Sequence, residues 1–560
     1  MATARKRFEP GTLGEWLVYL GAGIDNVAWL PVWPPDAFAI GAAILRRTGA
    51  YVDLVNSRDE RQRLALPDRE QIVHDGSQWR DELAAVFAGV SGGRTMRDAC
   101  PSEVKRAWKT LRTLADLPID EARDNIALTN AAVTLCTVSD QACDGLGVSI
   151  DSLFLAMAER IAEHNNRHSY CWEIPPTKLA VLGKQHTPQR GCSIRSLTHN
   201  LSLYTPTEIR AVWPAPVDKT QDDIEVFNLL LLPWPTEVSD ADFNTSETDG
   251  VFRYFDYRPK PGAGTAARVA RAMDRAEEFV KHVHGVVLPE LALDEAEFAA
   301  VERLVARRKA MLVSGVRKHP CGDTKGLPSN TCAIQPFGLT RLRDEKKTVT
   351  AADLAHFRRT QFKHHRWCLD RNQIMQYGLG GRLPASRDCW ELHFMGTREI
   401  HFVTLTTWLT VSALICEDLA RQEPVTEVVR SVGPNLIFAL LMDGPQLKSR
   451  WSSRYASVLA EDPGCSVLTL TSLGMSRRSQ GGDPANDRSH TIALWRDSVY
   501  GEREIGIQPG QDACVLSLVC KTGEEFTIDG RGDDGSAHFP VFSGAASFAV
   551  PAKSRRARIK

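Results

Sequence analysis

The chain has 560 residues, too many for one ordinary compact core, so two or three domains are expected. With 43% hydrophobic and 24% charged residues it reads as a soluble globular protein rather than a disordered or fibrous one. A formal net charge of −1 argues against a broad nucleic-acid surface. The N-terminal stretch MATARKRFEPGTLGEW has no apolar signal-peptide core, and no run of about 18 uncharged apolar residues occurs. A cytoplasmic protein without a membrane span is the expectation. The 13 cysteines are irregularly spaced and form no CxxC, which argues against a disulfide framework or a zinc ribbon. Most should be buried, inert thiols.

Residues 1–170 read mostly as helix. AFAIGAAILRRTGAYVDLV, SQWRDELAAVFAGV, CPSEVKRAWKTLRTLADL and DSLFLAMAERIAEHNNR place apolar residues three and four apart. No catalytic constellation stands out there, and this region is a candidate surface for a protein partner. From about residue 171 the pattern changes to short apolar runs bounded by Gly, Pro, Asn and Asp. KLAVL, VFNLLLLPWP, GVVLPE, AMLVSGV, TCAIQPFG, LTVSALIC, NLIFALL, SVLTLTSLG, TIALW and ACVLSLV predict strands, several buried on both faces. Helical patterns at 265–284, 295–309, 423–433 and 450–464 lie between them, so an α/β layered domain is predicted over 171–530. RRSQGGDPANDRSH (477–490) predicts an exposed loop, and 531–560, ending in AKSRRARIK, a flexible basic tail.

Three predicted strands end in chemistry-bearing residues: GVVLP at Glu290, LTVSALI at Cys416, and NLIFALLM at Asp443. In open α/β folds functional groups gather at the carboxyl ends of strands. Taken alone, Cys416 is an ordinary buried thiol. Followed by Glu417 and Asp418, it should be hard to ionise, so a nucleophilic role requires a base and a nearby cation. Glu290 supplies the first; the basic cluster QFKHHRWCLD (361–370) supplies the second. His364 and His365 are adjacent on a predicted strand and point to opposite faces, which argues against a shared metal. The glycines of 262–264 and 378–382 fit neither a dinucleotide fingerprint nor a Walker A loop.

The ordered set resembles the carbon–nitrogen hydrolase (nitrilase) superfamily. Leu288-Pro289-Glu290 is similar to its strand ending in Pro-Glu, and Phe362-Lys363-His364 to its lysine segment. Leu414-Ile415-Cys416-Glu417-Asp418 is similar to its cysteine followed by an acid two residues on. Asn330, Gly338, Gly433-Pro434-Asn435 and Trp451-Ser452-Ser453-Arg454-Tyr455 fit surrounding elements. The resemblance spans about residues 220–520 and comes nearest to nitrilase-like domains linked to bacterial reverse transcriptases in phage defence. Two departures stand out: 53 positions separate Lys363 from Cys416, more than usual, and residues 370–390 read as an insertion able to roof the pocket.

The resemblance implies an α/β/β/α sandwich behind a helical N-terminal domain, pairing of subunits into a homodimer or larger assembly, and no cofactor or metal. It also implies hydrolysis of a non-peptide carbon–nitrogen bond in a small amide or nitrile. Cys416 would be the nucleophile, Glu290 the general base and Lys363 the oxyanion partner. Glu391 would assist, and Glu417 would contribute its backbone N–H. Acyl transfer by the same residues, or a catalytically divergent sensor or interaction module in antiphage defence, are the alternatives.

Overall fold

The computed structural model describes residues 10–55, 64, 67–144, 168–185, 191–205, 209–213, 224–248, 252–260, 262, 264–336, 350–406, 408–479 and 490–552. The predicted helix at 151–167, Gly338, most of the 477–490 loop and the basic end 553–560 lie outside these residues.

Two sheets are built from the apolar runs. In the seven-stranded sheet the order is Arg359–Phe362, Ser329–Gln335, Met311–Lys318, Gly285–Asp294, Val226–Leu231, Ala513–Gly523 and Ala537–Phe548. In the six-stranded sheet it is Val403–Thr406, Leu409–Ile415, Leu436–Leu441, Ser466–Thr471, Thr491–Asp497 and Gly501–Gly506. Their central strands are parallel, a pairing that requires crossover connections such as the helices between them.

Alternation along each strand explains the layers. Leu229, Leu231, Val287, Met311 and Val313 meet Val411, Ala413, Phe438, Leu440 and Leu468 between the sheets. Their neighbours Leu230, Val286, Leu288 and Leu312 face the other way, onto Val269, Met273, Phe298 and Val301 of helices Thr265–Ala276 and Glu295–Arg307. On the second sheet Leu414, Ile437, Ala439 and Val467 pack against Val428, Val429, Val432, Ala456 and Leu459 of helices Glu427–Val432 and Trp451–Glu461. Strands buried on both faces have no polar face to alternate, hence the unbroken apolar runs. Each fully buried Leu, Ile or Val contributes about 1.5–3 kcal/mol. The layering is thus helix, sheet, sheet, helix.

The N-terminal region is helical, with Leu13–Leu20, Pro34–Thr48, Arg69–Phe87, Ser102–Thr113 and Ile126–Ala142 around one core. That core does not stop at residue 170. Tyr170, Cys171, Ile174, Val181, Leu201 and Leu203 belong to it, while Ala180 and Leu182 face the second sheet's helical layer. The hairpin Ala180–Gly183 with Leu201–Tyr204 therefore stands between the two regions. The tail predicted from residue 531 is also corrected: Ala537–Phe548 pairs along the whole of Ala513–Gly523. Arg531 is buried against Asp529 and Asp140, the latter near the end of the Ile126–Ala142 helix. The basic residues of 553–560 suggested a mobile end, and their charge obscured the β-forming run that precedes them.

Candidate active site

Glu290 sits in a distortion of its strand. Leu288 pairs with Ser314 and Leu293 with Val316, so four residues on one strand face Gly315 alone on the other. Leu291 has φ 54°, a left-handed value that is rare for a leucine and turns the chain within this bulge. Gly315 is required opposite it. A Cβ there would lie 2.4 Å from the Pro289 carbonyl oxygen and 2.6 Å from the Glu290 Cα.

Lys363 follows the strand Arg359–Phe362, whose neighbour Ser329–Gln335 carries Asn330. Its backbone N–H donates to the Asn330 carbonyl at 2.9 Å. Two residues earlier, Gln361 Nε2 donates across to the Ala413 carbonyl at 2.7 Å, linking the lysine strand to the cysteine strand. The Lys363 side chain is buried between two glutamates. Its Nζ donates to Glu290 Oε1 at 2.8 Å and to Glu391 Oε2 at 2.5 Å. Asn330 Nδ2 bridges the same two residues, donating to Glu290 Oε1 at 2.7 Å and Glu391 Oε1 at 2.8 Å. Glu391 ends the short strand Cys389–Glu391 and also accepts from the Trp367 N–H at 3.2 Å.

The two carboxyls are pushed apart electrically. Burial, against the pull of Lys363 and with the added repulsion of Glu391, raises Glu290 above its ordinary range. At Glu391 burial acts the same way, but Lys363, His393 and the hydrogen bonds outweigh it and hold the group well below. Lys363 resists its own burial because both glutamates and Cys416 favour its charge, so its pKa rises. One carboxyl is thereby fixed as carboxylate while the other is poised to exchange a proton, the usual signature of divided acid–base roles.

Cys416 ends the strand Leu409–Ile415 and begins a single turn, Cys416–Ala420. It has φ 45°, again left-handed and costly for a non-glycine residue, and only 3% of its surface is exposed. Burial pushes its thiol well above the ordinary value. Glu290, Glu417 and Asp443 add to this, and Lys363 opposes it. The resting side chain is therefore a thiol with a proton-accepting carboxyl and an ammonium among its charged neighbours. The structure thus brings Glu290, Lys363, Glu391 and Cys416 together. Glu417 points elsewhere, toward Arg421 at 3.4 Å on the surface.

Asp418 ties the lysine and cysteine segments to each other. Its buried carboxylate accepts from the His364 N–H at 3.1 Å and meets His365 Nδ1 at 2.9 Å. The His364 ring itself turns away from Asp418, its Nε2 lying 3.2 Å from the Glu399 carbonyl oxygen. Among the described residues, no group of three or more His, Cys, Asp or Glu could hold a metal ion. Asp443, at the end of the neighbouring strand, is occupied by Arg450 at 2.6 Å, Trp451 Nε1 at 2.9 Å and the Tyr377 hydroxyl. Tyr377 comes from the segment 370–390 and is an electrostatic neighbour of Cys416. Trp367, Leu369, Ile374, Tyr377, Leu379 and Leu383 pack with Phe255, Leu291 and Met442 into a separate apolar cluster. Sequence reasoning missed Gly315 and His393, and it named Asn330 without its bridging role. Gly315 was signalled by a glycine inside an apolar strand run. The bridge made by Asn330 had no local signal. His393, two residues after Glu391, was signalled only by the period of extended chain.

No family model matches the chain, and no curated protein matches it. Solved structures overlap part of it. An amidase from Nesterenkonia sp. is 12% identical over 52% of this chain and 90% of its own, with a TM-score of 0.31. Nit3 of Saccharomyces cerevisiae, a member of branch 10 of the nitrilase superfamily, is 12% identical over 53% and 90%, with a TM-score of 0.31. A carbon–nitrogen hydrolase from Helicobacter pylori G27 is 9% identical over 50% and 86%, with a TM-score of 0.29. At such scores these likenesses carry no argument about activity.

Proposed function

We propose that the protein hydrolyses a non-peptide carbon–nitrogen bond, as an amidase before a nitrilase, through a covalent thioester on Cys416. One observation carries this reading: a buried lysine clamped by two glutamates of opposite pKa displacement, electrostatically coupled to a cysteine at a strained strand end. Glu290 takes the thiol proton as Sγ attacks the amide carbon. Lys363 faces the oxygen that gains negative charge, an interaction worth several kcal/mol in a dry site. The intermediate collapses, and Glu290 returns the proton to the departing amine. Water, deprotonated by the same carboxylate, then cleaves the thioester and restores the thiol. Glu391 stays ionised and keeps Lys363 charged and in place. The fold reading that goes with this is a nitrilase-type sandwich whose subunits pair.

The test is mass spectrometry of the intact protein with an iodoacetamide-type probe and a panel of small amides. Preferential labelling of Cys416 over the other thiols, and turnover abolished in Cys416→Ala, are expected. Equal labelling of all thiols, or an unchanged rate in that variant, removes the mechanism. A second reading, a sensor module in phage defence, draws on the burial of Cys416, only 3% exposed. It requires that Cys416→Ala stay fully protective in a phage-challenge assay.

A further inference from the structure

Beside the lysine clamp lies a cavity of about 30 Å³, bordered by Tyr257, Glu290, Asn330, Trp367, Glu391 and His393, among others. Four of its bordering side chains have a buried polar atom with no protein partner: Glu290 Oε2, Asn330 Oδ1, His393 Nε2 and the Tyr257 hydroxyl. Buried polar atoms are almost always paired, so four around one cavity mark a place completed by something else.

The polarity of these atoms is legible. Asn330 Nδ2 donates to two carboxylates, so Oδ1 is its free end and an acceptor. His393 is 1% exposed, and its Nδ1 lies 3.3 Å from the Phe394 carbonyl oxygen, which can only accept. The proton therefore sits on Nδ1, and Nε2 is a bare acceptor. Burial lowers the pKa of His393 and so favours this neutral form. Asn330 and His393 accept whatever the protonation of Glu290. The complementary group must offer N–H or O–H bonds and be close to a water in size. A terminal NH2 meets both demands. A nitrile nitrogen offers no hydrogen, and a dimethylamide nitrogen offers none and is larger.

We propose that His393 is a specificity-determining residue of this site. Together with Asn330 it receives the N–H bonds of a terminal NH2 group. It thereby selects primary carboxamides and ureido compounds over nitriles and N,N-disubstituted amides. This rests on the reading of Cys416 as the nucleophile.

The experiment alkylates the full-length protein with 2-chloroacetamide and, separately, N,N-dimethyl-2-chloroacetamide. In each, Cys416 Sγ displaces chloride to form a thioether. Rates at Cys416 are read by mass spectrometry and divided by each reagent's rate with free glutathione. Leaving a buried acceptor unpaired should favour the NH2 reagent about tenfold or more in wild type. His393→Phe should bring that ratio close to one. His393→Gln, whose Oε1 can reach the place of Nε2, should restore most of it, with all three proteins melting alike. A ratio near one in wild type, or one unmoved in His393→Phe, means that the cavity serves only water, and overturns the proposal while leaving the nucleophile standing. No labelling of Cys416 by either reagent removes the nucleophile reading and this proposal with it.

Discussion

Gly315→Ala tests whether the bulge holding Glu290 is built around a missing side chain. The added Cβ would meet the Pro289 carbonyl oxygen at 2.4 Å, the Leu291 nitrogen at 2.5 Å and the Glu290 Cα at 2.6 Å. All three are backbone atoms, so no rotamer change relieves the contact. Reaching an ordinary separation moves the Glu290 segment by about 1 Å, at an overpacking cost of about 1–3 kcal/mol. Such a loss leaves a domain of ordinary stability folded. A 1 Å misplacement of a reacting group is enough to slow chemistry by about 100-fold. The assay pairs a urea melt with the alkylation rate of Cys416 by 2-chloroacetamide, which requires the thiol proton to leave. A variant that melts like wild type and reacts at the wild-type rate would refute the role assigned to this glycine.

Three further outcomes follow from the same contacts. Lys363→Met strands two buried carboxyls without their cation and should cost about 3–5 kcal/mol in denaturant melts at neutral pH. A loss below 1 kcal/mol would mean the clamp is not formed. Glu391 has its pKa depressed in the folded state, so its stabilising contribution is present above its ordinary value of 4.5 and is lost as pH falls below it. The stability gap between wild type and Glu391→Gln should thus be widest near pH 7 and shrink toward pH 3. A gap that widens on acidification would reverse the assignment. Asp418→Ala leaves the buried His364 N–H unpaired, at about 1–3 kcal/mol, and should slow Cys416 alkylation by loosening the lysine segment. Alkylation at the wild-type rate would remove Asp418 from the support of the site.

Much of the sheet framework could be read from the apolar runs, because strands covered on both faces carry no competing polar pattern. The strands that escaped are half-exposed or short. Gly501–Gly506 and Phe252–Tyr257 carry charged residues at several positions, and Cys389–Glu391 has only three residues. The helix predicted over 265–284 ends at Ala276, since Glu277, Glu278 and Phe279 turn the chain back before His282. At the site, Lys363 and Cys416 each follow the end of a strand, a local event, whereas the strand expected to stop at Glu290 runs on to Asp294 through the bulge that holds this residue. Gly315 acts on Glu290 and Asn330 on Glu391, neighbours 25 and 61 positions away that only folding brings near. Glu417 was offered for its backbone N–H, and the direction of its side chain, toward Arg421, could not be read from adjacency in sequence.

The pairing of Ala513–Gly523 with Val226–Leu231, and the burial of Arg531 against Asp140, set a condition on how the molecule comes into being. A ribosome that has released Cys416 has made the whole clamp in covalent terms, yet the strand beside the Glu290 strand still lacks its outer neighbour. Asp140, already gathering the N–H groups of His199, Asn200 and Leu201, must wait for a cation nearly 400 residues downstream. Parts of the molecule separated by nearly 400 residues thus mature together, once Arg531 has been made. A nascent or truncated product would carry Cys416 without the framework that holds Glu290 and Lys363 in place.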